Sequence, residues 1–211
     1  MTPRFSAPEL TRFTRQWATR AGACYAHVTD GAGNAARTGG FVGGSWHPAA
    51  MHPSAEHDFD FVYGQWAVHN RKLADVTDPA CHEWVEFDAT SEAYPILDGF
   101  GHVDRMYVPA EADGGPFEGF TLRLFNPQSR TWRIWWSSTR LPGVLDTPVE
   151  GRFHDGRGVF ECDEEINGRP VRVRFEWLTS DPGSPRWQQS FSYDAGHTWT
   201  LNWIMRLTRA D

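Results

Sequence analysis

The chain has 211 residues, 40% of them apolar and 22% charged, a composition that suits one globular unit with a sizeable core and argues against wholesale disorder. Its net charge of −7 is uneven: residues 1–50 hold Arg4, Arg12, Arg15, Arg20 and Arg37 against Glu9 and Asp30, a balance of +3, so the other 161 residues carry −10. An acidic main body with one lysine, Lys72, lacks the clustered cations that phosphates demand, which excludes nucleic acid as a partner.

The first element in the chain is a short helix. Ser6 and Glu9 have capping-box spacing, and Leu10, Phe13 and Trp17 then form one apolar stripe, which predicts a basic amphipathic helix over about 7–20, stopped near Gly22. Docking on the acidic body is its simplest use; a membrane surface or a partner is the alternative. Residues 29–56 are rich in Gly, Ala, Ser and Pro and read as a linker, with His47, His52 and His57 as solvated loop histidines rather than a metal site. Met51 stands at the change in character and could serve as an alternative start. The division expected is therefore 1–56 as helical extension and linker, and 57–211 as the main domain.

From residue 57 onward the pattern is period-two β structure punctuated by turns. Strands are expected at 64–73, 82–94, 100–109, 118–126, 132–139, 148–154, 157–165, 170–178, 186–193 and 199–208. Asn167-Gly168 is a strong two-residue hairpin signal, and Asp155-Gly156, Asp194-Ala195-Gly196 and Asn126-Pro127-Gln128-Ser129 supply further turns. About ten consecutive strands joined by hairpins describe an all-β, up-and-down antiparallel sheet, and one this long curls shut to remove its edges. An up-and-down barrel of about 8–10 strands is the expected fold. Alternation puts Trp132, Ile134 and Trp136 on one face, then Val171, Val173, Phe175 and Trp177, then Trp187, Gln189, Phe191 and Tyr193, and finally Trp199, Leu201, Trp203, Met205 and Leu207. With 11 Trp and 14 Phe in the chain, such an interior is walled by flat rings.

Cys24, Cys81 and Cys162 are odd in number, far apart and without CxxC spacing, which argues against a disulfide framework or a zinc site and suits a reducing cytoplasm. The first 25 residues lack a signal-like apolar run, and no stretch reaches the roughly 18 apolar residues of a membrane span. No metal and no cofactor are expected.

The segment Phe59-Asp60-Phe61-Val62-Tyr63-Gly64-Gln65-Trp66 is similar to the opening of calycin (lipocalin-like) barrels, and particularly to uncharacterised bacterial lipocalin-like domains; Ser192-Tyr193-Asp194-Ala195-Gly196-His197-Thr198-Trp199 also resembles them. The resemblance covers roughly residues 57–211. It implies that Trp66 closes one barrel end beneath a cation from the last strand, for which Arg209 has the same phase as Trp203, whereas Arg206 points the other way. It also implies a small apolar or amphipathic ligand, with isomerases, cyclases, decarboxylases and hydratases among the relatives. The glycines that follow Gly-x-Trp in the heme-binding branch are missing from Gly64-Gln65-Trp66-Ala67-Val68-His69, so heme is not implied.

No nucleophile elbow, phosphate loop or HExxH motif is present. The expected function is binding of a small hydrophobic or aromatic organic molecule, with Trp66, Trp132, Trp136, Phe191 and Trp203 as wall and Gln189, Asn70 and His102 as polar contacts. Polar Gln189 on an aromatic face needs a partner if buried. The alternative is a cofactor-independent enzyme of secondary metabolism (isomerase, cyclase or dehydratase), for which His102 and Asp104, two apart on one strand, could form an acid/base pair or else sit at the rim. A third reading is an interaction protein with a filled interior. A homodimer is left open.

Overall fold

The structure is a computed structural model and describes residues 55–109 and 115–210. The expected helix at 7–20, Met51 and most of the linker lie outside the described residues. Ten antiparallel strands form a closed barrel: β1 Gly64–Leu73, β2 Trp84–Ile96, β3 Gly101–Val108, β4 Phe117–Asn126, β5 Thr131–Ser138, β6 Val149–His154, β7 Arg157–Ile166, β8 Arg169–Leu178, β9 Arg186–Ser192 and β10 Thr200–Arg209. Each strand pairs with the next in sequence, and β1 pairs with β10, so no edge is left open. The hairpins turn where the sequence supplies residues that tolerate positive φ: Asn167-Gly168 at 53° and 76°, and Asp155-Gly156 at 49° and 75°.

Among the described residues one end is stoppered and the other is open. Two short 3-10 turns, Ala55–His57 and Asp60–Val62, cross the first end before β1 begins. Phe59 between them is fully buried and sits among Trp132, Phe153, Phe160 and Trp177 at centroid distances of 5.0–6.3 Å, mostly edge to face. Trp66 starts the inward face of β1 and donates its indole N–H to the Val62 carbonyl at 2.7 Å. The Arg209 guanidinium lies 3.9 Å from the Trp66 ring centroid and also donates to the carbonyls of Tyr63 and Phe61. First and last strand are thus tied together over the stopper.

β6 and β7 approach closely at Gly151, where a Cβ would lie 1.8 Å from the Val159 carbonyl oxygen. The seam between β5 and β6 is the shortest, pairing only from Trp132↔Gly151 to Ile134↔Val149. Beyond it β5 runs on to Ser138, and the connection 139–148 folds back, the Asp146 amide donating to the Trp136 carbonyl at 2.9 Å.

The last strand corrects the expected phase. The register shifts between Leu201 and Trp203, a bulge that turns Asn202 inward, where it is buried. Trp199 precedes the strand; its indole bonds to the Gly196 carbonyl and is covered by the guanidinium of Arg174 at 3.6 Å, with Arg174 itself ion-paired to Glu161. Trp199 is therefore a loop residue held by an arginine and does not belong to the interior series. Past the bulge, Trp203, Met205 and Leu207 face inward.

Candidate functional site

The barrel encloses a cavity of about 430 Å³, within the range of small-molecule sites. Five indoles from five strands contribute to its wall: Trp66 from β1, Trp136 from β5, Trp177 from β8, Trp187 from β9 and Trp203 from β10. Trp187 and Trp203 meet edge to face at 5.7 Å, and Phe175 meets Trp187 at 5.0 Å, so these rings stiffen one another. Trp136 lies across β4 because residue 119 is glycine: a Cβ there would sit 2.0 Å from its ring. The mouth is bordered by the 139–148 connection, which contributes Arg140, Leu141, Val144, Asp146 and Thr147.

The structure sorts the expected site residues into two sets. Trp66, Trp136, Gln189 and Trp203 line the cavity, and so does Asp104. Asn70, His102, Trp132 and Phe191 are buried but do not line it. Asn70 acts behind the wall, its Oδ1 accepting from the Trp203 indole N–H at 3.0 Å, and it thereby sets the tilt of that ring. Trp132 belongs to the stopper: it packs on Phe59 and Phe125 and donates to the Ala55 carbonyl at 3.0 Å. Gln189 finds the partner that burial requires, donating to Asn202 Oδ1 at 3.0 Å, a residue delivered by the bulge.

The His102–Asp104 pair is not formed. His102 Nε2 is bonded to the Tyr63 hydroxyl at 2.8 Å, and its ring lies against Phe59, Tyr63 and Trp132 in the stopper. Burial, seconded by the nearby Arg123 charge, lowers its pKa to about 4, so the imidazole is neutral at physiological pH. The Asp104 carboxylate is taken by Arg123, whose Nη1 lies 2.6 Å from Asp104 Oδ2. The reason is the register: Asp104 stands opposite Thr121 on β4, one inward position from Arg123, while Arg123 stands opposite His102.

Arg123 is the site residue that sequence reading missed. It is 4% exposed, lines the cavity and stacks its guanidinium over Phe59 at 5.0 Å and Trp177 at 5.8 Å. The signal was present in the alternation of Phe117, Gly119, Thr121, Arg123 and Phe125 along β4, which places the arginine on the apolar side of the strand.

The remaining titratable groups lie nearer the mouth. Burial, with Glu164 adding repulsion, raises the Asp146 pKa to about 6. Burial and neighbouring carboxylates push Cys162 to about 12, so it stays a protonated thiol at neutral pH. Lys72 extends along the wall with its ammonium 5.1 Å from the Trp203 ring centroid. Among the described residues no group of three His, Cys, Asp or Glu side chains is arranged to hold a metal, and no helix is long and apolar enough to cross a membrane.

No protein-family model matches the chain, and no curated protein matches it in sequence. Solved structures do match it. Rv2717c from M. tuberculosis is similar over 77% of this chain and 100% of its own, at 12% identity and a TM-score of 0.50. The S-type phycobiliprotein lyase CPES from Guillardia theta is similar over 75% of this chain and 93% of its own, at 13% identity and a TM-score of 0.49. EF1p2_mFAP2b, in a structure bound to DFHBI, is similar over 74% of this chain and 100% of its own, at 10% identity and a TM-score of 0.40. Identities this low speak to architecture, and by architecture the chain is a closed ten-stranded antiparallel barrel, the fold that the resemblance to calycin (lipocalin-like) barrels implies.

Proposed function

We propose that the barrel binds one small, largely aromatic or apolar organic molecule between its tryptophans. The observation that carries this reading is the cavity itself: about 430 Å³ left open in the middle of a chain that elsewhere fills its interior with rings. A core selected only for stability closes such a space, because unfilled apolar volume costs roughly 24 cal/mol per Å³. The wall is flat, apolar and pre-stiffened, which lowers the ordering cost of taking up a planar ligand.

Binding is favoured over turnover because the nominated base is out of reach. His102 stands under the stopper with Nε2 engaged by Tyr63, and Asp104 is neutralised by Arg123. A general acid or base must come within hydrogen-bond reach of the reacting atom, directly or through one water.

The reading is tested by tryptophan fluorescence during titration with 2-ethylnaphthalene, combined with native mass spectrometry of the freshly purified protein. Quenching with a saturable midpoint is expected, and it should be lost in Ala93→Phe, which fills the cavity from β2, while far-UV circular dichroism stays unchanged. Equal quenching of the filled variant, or none in the parent together with no retained mass, would overturn it.

A further inference from the structure

We infer that the molecule taken up carries a neutral hydrogen-bond acceptor, such as the carbonyl of an aryl ketone, ester or amide, which is received by Arg123 at the deep end of the cavity. This rests on the binding reading above and goes further by naming the polar group of the ligand and its receptor.

The geometry is unusual for a structural ion pair. Arg123 is 4% exposed, and its guanidinium is held between the Phe59 and Trp177 rings on a wall of the cavity. Its Nε has no hydrogen-bond partner, and Nη1 is held by Asp104 Oδ2 at 2.6 Å as an ion pair. A buried guanidinium with an unmade donor is costly, and an apolar side chain of similar size would serve the stopper at least as well. Asp104 and Arg123 therefore stand as a buried polar spot at the bottom of a largely apolar well, the arrangement by which apolar pockets orient a ligand.

The class of ligand follows from charge. At this deep spot Asp104 already balances Arg123, and the adjacent His102 is neutral, so an anionic group placed against Arg123 would add a negative charge that nothing beside it compensates. A neutral acceptor engages the Nε donor without that cost. Thr121, opposite Asp104 on β4, also lines the cavity and adds neutral polar character beside Arg123.

A matched set of probes separates the possibilities: 2-acetylnaphthalene, 2-ethylnaphthalene and 2-naphthoate have one ring system and differ only at the polar group. The acetyl probe is expected to bind at least about tenfold tighter than the ethyl probe, the scale of a hydrogen bond to a charged donor, and tighter than naphthoate. Arg123→Met alone leaves Asp104 buried and unpaired and can fail to fold. The decisive protein is therefore the double variant Asp104→Leu with Arg123→Met, which leaves no donor at this spot. In it the acetyl preference should fall below about twofold while ethyl affinity is retained. Equal acetyl and ethyl affinity in the parent overturns the anchor and leaves the cavity reading standing. Naphthoate binding tightest overturns the neutral class. Failure of all three probes overturns both readings together.

Discussion

The two ends of this barrel are built by different rules. At the stoppered end nearly every ring touches another: Phe59 alone contacts Phe61, His102, Trp132, Phe153, Phe160 and Trp177. Toward the open end the β5–β6 seam stops after three pairs, and Val144 and Leu145 are exposed on the connection that borders the mouth. The contrast assigns stability to one end and access to the other. It also explains why aromatic residues on the same inward face have unlike fates: Trp132 is sealed under Phe59, whereas Trp136, four residues on, forms cavity wall.

The strongest way to break this contrast is Phe59→Ala. Removing a fully buried ring from the centre of the stopper should destabilise the barrel by about 3–5 kcal/mol. Urea unfolding followed by tryptophan fluorescence measures it, and a loss under about 1 kcal/mol would mean that the end can collapse around the gap.

Next in size is a pH effect at the same end. His102 is held neutral in the fold, with a pKa near 4, below the ordinary value of 6.5, while the unfolded chain takes up a proton near 6.5. Between these values the unfolded state binds more protons, so the contribution of His102 is fully present above about pH 6.5 and is lost as pH falls toward 4. Asp58 and Asp146, raised to about 6 by burial, act with the opposite sign over an overlapping range, so the test is a difference between two proteins that share them. Wild type should lose up to about 3 kcal/mol relative to His102→Gln between pH 6.5 and 4. A pH-independent difference would show that His102 titrates normally.

Much of this architecture was legible in the sequence. The strands could be bounded because the period is two and because residues such as Asn167-Gly168 and Asp155-Gly156 permit only tight reversals. The pairing of Trp66 with Arg209 follows from resemblance plus phase. What alternation does not carry is depth. It says that Trp132, His102 and Phe191 point inward, but the plugging of one end by Phe59 decides that Trp132 and His102 are core and not cavity surface. Nor does alternation survive a bulge, which moved Asn202 inside and left Trp199 to Arg174. The Asp104–Arg123 pair depended on β3–β4 register, and pattern alone does not fix register.

Gly119→Ala probes the boundary between the two regimes. The added methyl must displace the Trp136 ring, which is a cavity wall rather than part of the stopper. Overpacking of this kind costs about 1–3 kcal/mol when the neighbour cannot move. Here the ring borders open volume and can swing into it, so the loss should fall at the low end, while affinity for 2-ethylnaphthalene drops at least severalfold. A large loss of stability with unchanged affinity would place Trp136 in the rigid half of the molecule.

The smallest stability effect is expected at the mouth. Val144 is 41% exposed yet contributes to the cavity lining, so Val144→Ser removes apolar contact from an entering molecule and little from the core. Unfolding free energy should change by no more than about 0.5 kcal/mol. Affinity for 2-ethylnaphthalene should fall a few-fold, the scale of one or two methyl contacts, mainly through faster dissociation, which stopped-flow fluorescence resolves. The pair Phe59→Ala and Val144→Ser then forms a cross: one should move stability, the other the off-rate. If both variants moved the same quantity, access and stability would not be housed at opposite ends of the barrel.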